Sequence, residues 1–337
     1  MVNGKCNCNA LLCVALLMMN RTQHFISVSV KFFPEESDNP PHDNKGEASA
    51  VKKVIVLAPC RLIVVNQNHY NLVANLRKIE AGENQFEVCK GVSLTCVNLS
   101  GLLKALEGEV AEQKEKLNCL LKSTSDLVSG VYEGGFKTWE CTFDLVKYVQ
   151  DNFNKIFDED KKPSGGVWRV LDLGCGSGLV GLSVLKLAED NGIDIRVDFQ
   201  DYNEEVIDYV TVPNTLFNFD DERVAKCTYF SGDWDNFVDQ RLSSNQLNSY
   251  DVIFSSETIY NLDYFPKFMR VLKSCLKSGR GCLYLAAKTF YFGVGGNTRT
   301  FLKSVELDKD KVLEGSIAHA IKEGVHREIL CIRHNQS

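Results

Sequence analysis

The chain has 337 residues, 44% of them apolar and 24% charged, with a net charge of -6 and a pI near 5.6. Such a chain folds as one large or two modest globular domains, and its acidic balance argues against a general nucleic-acid coat. Its 13 cysteines are odd in number and scattered, which argues against an extracellular disulfide framework and for reduced thiols in the cytosol or nucleus.

Residues 1–50 read as a poorly ordered segment and linker, with a polar stretch from Glu35 to Ser49 around Pro40-Pro41. Cys6, Cys8 and Cys13 suggest a metal clip, but no histidine or second cysteine pair stands at ligand spacing, so no metal is expected. The apolar run Ala10–Met19 is too short to span a bilayer, and Met18-Met19-Asn20 offers no small-residue cleavage site; neither membrane insertion nor secretion is expected.

Residues 51–122 read as a small N-terminal extension. Val54-Ile55-Val56 and Leu62-Ile63-Val64-Val65 are two β-branched runs expected to pair as a hairpin. Leu99, Leu102, Leu103, Leu106 and Val110 recur at helical spacing and predict an amphipathic helix over 98–121 that packs on the main domain. The stretch 123–145 is a loop marked by Gly130, Gly134 and Gly135, with Tyr132, Phe136, Trp139 and Phe143 either filling core or covering a ligand. A helical pattern starts at Thr142.

The organising stretch is V-W-R-V-L-D-L-G-C-G-S-G-L-V-G, from Val167 to Gly181. It predicts a strand, a glycine turn at Gly174, Gly176 and Gly178, and a helix, which opens a doubly wound α/β sheet. Gly176 to Gly181 satisfies the dinucleotide pattern G-x-G-x-x-G. Asp172, however, places an acid just before the first glycine. That acid would oppose a pyrophosphate but suits the ammonium or sulfonium end of S-adenosylmethionine, and D-x-G-x-G-x-G resembles the loop of seven-strand methyltransferases. Strands are then expected at 193–200, 227–231, 250–255, 281–287 and 329–332, with helices at 204–217 and 263–276. The alternation predicts a seven-strand, mainly parallel, doubly wound sheet over 123–337.

Three strand ends carry the remaining chemistry. Asp201, after the second strand, can accept from both ribose hydroxyls, or cap a helix as Asn203 also can. Asp233 can accept from an adenine amino group and Trp234 can lie beside the purine, or the two are a turn acid and a core ring. Glu257, Tyr260 and Asn261 follow the fourth strand, where substrates sit, and are the candidates for orienting an acceptor.

Together D-L-V-S-G-V-Y-E-G-G-F-K-T-W-E-C-T-F-D-L, V-L-D-L-G-C-G-S-G-L-V-G, F-Q-D-Y-N, V-P-N, S-G-D-W, S-S-E-T-I-Y-N and Y-F-G-V-G-G resemble the protein-histidine N-methyltransferases of the methyltransferase-like superfamily, over Ser125–His334. The resemblance implies a Rossmann-like class I methyltransferase fold. It implies S-adenosylmethionine contacts at Trp139, Glu140, Cys141, Thr142 and Phe143, at Gly174, at Gln200, Asp201 and Tyr202, at Gly232, Asp233 and Trp234, and at Ser255 and Ser256; Asp172 and Gly176 join them from the loop itself. It further implies a protein substrate, the third large-subunit ribosomal protein, methylated at the distal nitrogen of a histidine ring. A monomer in the cytoplasm, with the nucleus or nucleolus as a further location, bound to neither membrane nor nucleic acid, is expected. Residues 1–95 match no part of the pattern, and the short segment Phe219–Lys226 lacks a basic insert that would support nuclear import. Rival readings are a lysine methyltransferase of the same fold, for which Glu257-x-x-Tyr260 would serve, a non-catalytic cofactor-binding assembly factor, and an NAD-dependent oxidoreductase.

Overall fold

The computed structural model describes residues 58–79, 83–89, 91–106 and 130–335, together with 30–31, 55–56, 117 and 127. Cys6, Cys8, Cys13 and the run Ala10–Met19 lie outside the described residues. The chain falls into two compact units, Met1–Leu57 and Ala58–Ser337. In the first, Val30–Lys31 pairs antiparallel with Ile55–Val56.

In chain order the second unit contains β1 (Arg61–Ile63), α1 (Gln67–Leu76), the hairpin β2–β3 (Glu83–Cys89 and Val92–Val97), α2 (Leu99–Ala105) and α3 (Glu140–Asp151). There follow β4 (Trp168–Leu173), α4 (Leu179–Asp190), β5 (Ile195–Asp201), α5 (Val212–Asn218), β6 (Cys227–Ser231) and α6 (Trp234–Ser243). The chain ends with β7 (Val252–Ser256), α7 (Phe265–Cys275), β8 (Cys282–Lys288), α8 (Thr298–Glu306), β9 (Leu313–Ile321) and β10 (Arg327–His334).

One sheet of eight strands forms the centre, in the order β9-β10-β8-β7-β4-β5-β6-β1. The five strands from β8 to β6 are mutually parallel, whereas β10 runs antiparallel to β8 and β1 runs antiparallel to β6. The order reverses between β4 and β7, so a crevice opens at their carboxyl ends, the usual ligand position in such sheets. Alternation along each strand feeds two cores. Val170, Val197, Phe199 and Phe254 face α3 and α4, while Leu171, Leu173, Ile253 and Leu285 face α6, α7 and α8.

Three expectations need correction. The sheet has eight strands rather than seven, because Arg61–Ile63 adds an antiparallel edge against Tyr229–Ser231. The two β-branched runs near Val54 and Leu62 do not form a hairpin: Ile55–Val56 pairs with Val30–Lys31, and Leu62-Ile63 pairs with β6. The helix expected over 204–217 is interrupted by a π turn at Ile207–Thr211 just before Pro213. Proline has no N–H to donate, so the regular ladder cannot continue there.

Of the helix expected over 98–121, Leu99–Ala105 is described, capped by Asn98, whose side chain accepts from the N–H groups of Ser100 and Gly101; Val110 lies outside the described residues. Leu102 and Leu106 join Leu72, Leu76, Tyr132, Phe136, Val206 and Val210 in a third core cluster. The described residues of 58–106 therefore belong to the same compact unit as the sheet.

Candidate active site

The register of the parallel strands sets the site. Leu173 pairs with Gln200 on one side and Ser255 on the other. Gly174, Asp201 and Ser256, each the next residue, therefore lie side by side at the carboxyl edge of the sheet.

The glycine turn is tied at both ends by buried carboxylates. Asp172 Oδ2 accepts from the Gly181 N–H at 2.9 Å, and Asp201 Oδ2 accepts from the Gly176 N–H at 2.9 Å. Asp201 Oδ1 also accepts from the Asn203 N–H at 3.1 Å. Two groups that the sequence reading did not single out complete the turn. Thr211 donates to the Gly176 carbonyl at 2.7 Å and the Asn214 amide donates to the Ser177 carbonyl at 2.8 Å. The π turn presents Thr211, and Asn214 is the last residue of V-P-N, the motif that carried their signal.

The glycines are demanded mainly by protein neighbours. A Cβ on Gly174 would lie 2.5 Å from Thr258 Cγ2, and one on Gly181 would lie 2.4 Å from Phe199 Cε1. Gly176 is different. Its φ is +52°, and a Cβ there would point at the Gly135 carbonyl oxygen, 3.1 Å away. The loop holding Gly134 and Gly135 thus lies directly over the turn.

That loop is held by Glu133, which the sequence reading passed over. Glu133 accepts from the hydroxyls of Tyr260 and Tyr264 and from the Gly130 N–H. Trp139 Nε1 donates to the Gly134 carbonyl at 3.3 Å, and the ring lies under two cations, Lys137 Nζ at 4.5 Å and Lys288 Nζ at 5.3 Å. Tyr202 donates to the Gly130 carbonyl at 2.8 Å and so anchors the far end of the same loop.

The other expected cofactor residues divide. Gln200 is fully buried; its amide donates to the Gly232 carbonyl at 2.8 Å and its oxygen accepts from Trp234 Nε1 at 2.9 Å, which fixes the indole beside the crevice. Thr142 and Ser256 share a hydrogen bond of 3.1 Å. Gly232 has φ +117°, and a Cβ there would meet the Pro59 carbonyl at 2.2 Å, so residues 58–60 roof this turn. Asp233 caps α6 through the Asp235 N–H and pairs with Lys267 at 2.5 Å, while its own N–H goes to the Ala58 carbonyl. Ser255 turns inward to the Leu173 carbonyl and Thr258, and Cys141 is wholly buried. Glu140 and Phe143 lie on the exposed side of α3.

Among the acceptor candidates, Asn261 uses its side-chain oxygen to cap a 3-10 turn through the Asp263 N–H at 3.0 Å. Tyr260 donates to Glu133. Glu257 adopts φ +59°, a left-handed conformation that costs a non-glycine residue on the order of 1 kcal/mol. Its N–H is fixed to the Ala286 carbonyl at 2.9 Å. One carboxylate oxygen accepts from the Tyr291 hydroxyl; the other lies 3.3 Å from Lys288 Nζ.

The cradle fits S-adenosylmethionine. Burial pushes Asp172 up to about 7, with Asp201 as a further cause, and burial together with the charge of Glu133 pushes Asp201 up to about 6. Among the described residues neither carboxylate has a neutralising cation, which a sulfonium and ammonium would supply. The ionised form of Asp201 is the stronger acceptor for the ribose hydroxyls, and the ionised form of Asp172 the one that answers a cation. Affinity for S-adenosylmethionine should therefore fall as the pH drops through about 7, by up to about a hundredfold per unit below about pH 6 where both acids are protonated, and level off by about pH 8, with protons released on binding. Calorimetry across this range in two buffers of different ionisation enthalpy measures both, and a flat affinity from about pH 5 to 8 would remove these acids from the cofactor site.

A parallel sheet of this order, with an acidic glycine turn at its switch point and further acids at the next strand ends, defines a class I S-adenosylmethionine-dependent methyltransferase. Residues 121–307 match a family model described as "Lysine methyltransferase". A histidine protein methyltransferase 1 homolog from Rattus norvegicus is 35% identical over 88% of this chain and 81% of its own length. Homologs of the same name from Bos taurus and Dictyostelium discoideum are 41% and 46% identical, over 68% and 54% of this chain. The chain belongs to the histidine protein methyltransferase 1 family. It spans 63% of the bovine protein and 52% of the Dictyostelium protein, less than two thirds of either.

Proposed function

We propose that this protein transfers a methyl group from S-adenosylmethionine to the distal ring nitrogen of a histidine in a protein, the third large-subunit ribosomal protein being the candidate substrate. The observation that carries this reading is the 35% identity to a histidine protein methyltransferase 1 homolog along 88% of the chain. The intact turn, with both carboxylates in place, supports turnover over passive binding. A site in the cytosol, or in the nucleus or nucleolus, is part of the same proposal, in keeping with the free thiols of the described cysteines.

When bound, S-adenosylmethionine supplies an electrophilic methyl group on a sulfonium. The chain's part is placement. Asp201 would hold the ribose, Asp172 and the turn the methionine end, and Gln200 with Trp234 the purine end. The Gly134–Gly135 loop, locked by Glu133 to Tyr260 and Tyr264, would keep water from the reacting atoms.

Lysine is the second reading, favoured by the description of the matching family model and by Glu257-x-x-Tyr260. Incubation with labelled S-adenosylmethionine and a ribosomal protein extract separates the two. The label is expected on a histidine and should vanish when that histidine is replaced by alanine; label on a lysine that persists in that variant would overturn the reading.

A further inference from the structure

We propose that Glu257 accepts the N–H of the target imidazole, and that Tyr291 and Lys288 are positioning residues that hold its carboxylate for that task. The inference rests on the histidine reading and deepens it.

Glu257 leaves the end of β7 beside the glycine turn, and its neighbour Thr258 lies against Gly174. Its side chain is 6% exposed. Tyr291 donates to Oε2, and the same hydroxyl accepts from the Lys288 N–H at 3.2 Å, so the phenol is held from both sides. Lys288 Nζ stands 3.3 Å from Oε1 without the angle of a hydrogen bond. Among the described residues Oε1 is therefore a buried carboxylate oxygen that accepts no hydrogen bond. Buried acceptors are nearly always filled, so this unfilled one, just past the end of β7 beside the glycine turn, is a place for a donor. The other candidates are engaged: the Tyr260 hydroxyl donates to Glu133 and the Asn261 oxygen takes the Asp263 N–H.

A neutral imidazole carries one N–H and one lone pair, and whichever nitrogen donates leaves the other to react. If Oε1 takes the N–H of the nitrogen nearer the backbone, the distal nitrogen faces the methyl with its lone pair. The carbon–sulfur bond breaks as the nitrogen–carbon bond forms, and its electron pair stays on sulfur as a neutral thioether. The ring becomes an imidazolium, whose charge Glu257 offsets, and its remaining N–H proton then leaves through Glu257 to solvent. The left-handed backbone at Glu257 and the fixed phenol set the direction of Oε1 before substrate arrives. Lys288 places a counter-charge 3.3 Å from Oε1, and its ammonium also lies over the Trp139 ring, 5.3 Å from the centroid.

The test uses the full chain, S-adenosylmethionine and the histidine substrate protein, with cofactor affinity by calorimetry as the check on folding. Glu257→Gln should lower kcat about 100-fold with cofactor affinity unchanged. Its residual product should contain methyl on both ring nitrogens, where the unaltered protein makes the distal isomer alone. Tyr291→Phe, which keeps the ring, should lower kcat about tenfold in the same direction without raising KM in proportion. A wild-type rate and a single isomer in either folded variant would overturn the proposal while leaving histidine methylation standing. Label on lysine in the unaltered protein would instead overturn the reading beneath it.

Discussion

Gly176→Arg is expected to abolish S-adenosylmethionine binding while leaving the sheet folded. The left-handed φ of +52° at this position costs a non-glycine residue about 1–2 kcal/mol. The new Cβ would lie 3.1 Å from the Gly135 carbonyl oxygen and force the covering loop to give. The guanidinium would then find two buried carboxylates, Asp172 and Asp201, neither of them paired with a cation among the described residues. It would take the place of the cofactor's own positive charge. A loss of at least about 1,000-fold in affinity, roughly 4 kcal/mol, should follow. Gly181→Ala is the contrasting variant. Its Cβ would be driven to 2.4 Å from the Phe199 ring in the core, so it should lower the melting temperature before it affects binding. Calorimetry and thermal melts on both variants separate cradle from scaffold. Undiminished affinity in a folded Gly176→Arg protein would mean that the turn does not hold the cofactor.

The turn and its strand were legible in the sequence because their signals are local. Apolar residues on both faces of Trp168–Leu173, the glycines, and the apolar helix after them need no distant partner to be recognised. The mainly parallel character of the sheet followed from the alternation of strands and helices. The place of the eighth strand in the sheet was not legible, although its β-branched run was. Arg61–Ile63 is three residues long, and its pairing with β6 is decided by Gly232, whose missing side chain admits Pro59 and Cys60 from far along the chain. β9 was missed because it is an edge strand whose side chains are mostly exposed, so no apolar alternation marks it. Glu133 was missed for a related reason. In sequence it is an acid between Tyr132 and two glycines, and its grip on Tyr260 and Tyr264 exists only after the loop is laid across the sheet. The same holds for the division of labour among Glu257, Tyr260 and Asn261, which are three plausible groups in sequence and three different hydrogen-bonding situations in space.

The acceptor's identity should be written in the pH dependence of the rate. A lysine side chain, with a reference pKa of about 10.4, is almost wholly protonated at neutral pH and has no lone pair to offer. A histidine, at about 6.5, is mostly neutral. An enzyme for lysine must remove a proton before attack, and its rate climbs with pH as free amine accumulates. An enzyme for histidine needs only to choose which nitrogen carries the proton. Glu257 suits the second task better than the first. Buried beside Lys288, with one oxygen already engaged by Tyr291, it is placed to accept a single N–H. A carboxylate facing an ammonium would stabilise the protonated, unreactive form of a lysine. With saturating cofactor, kcat/KM for the protein substrate should therefore rise with pH to a plateau by about pH 7–7.5, just above the imidazole value. The acid limb should follow the substrate: raising the target histidine's pKa with a neighbouring acidic residue should move the limb to higher pH by the same amount. A rate still rising tenfold per unit beyond about pH 8 would point to an amine acceptor and return Glu257-x-x-Tyr260 to the lysine reading, with the cofactor cradle unaffected.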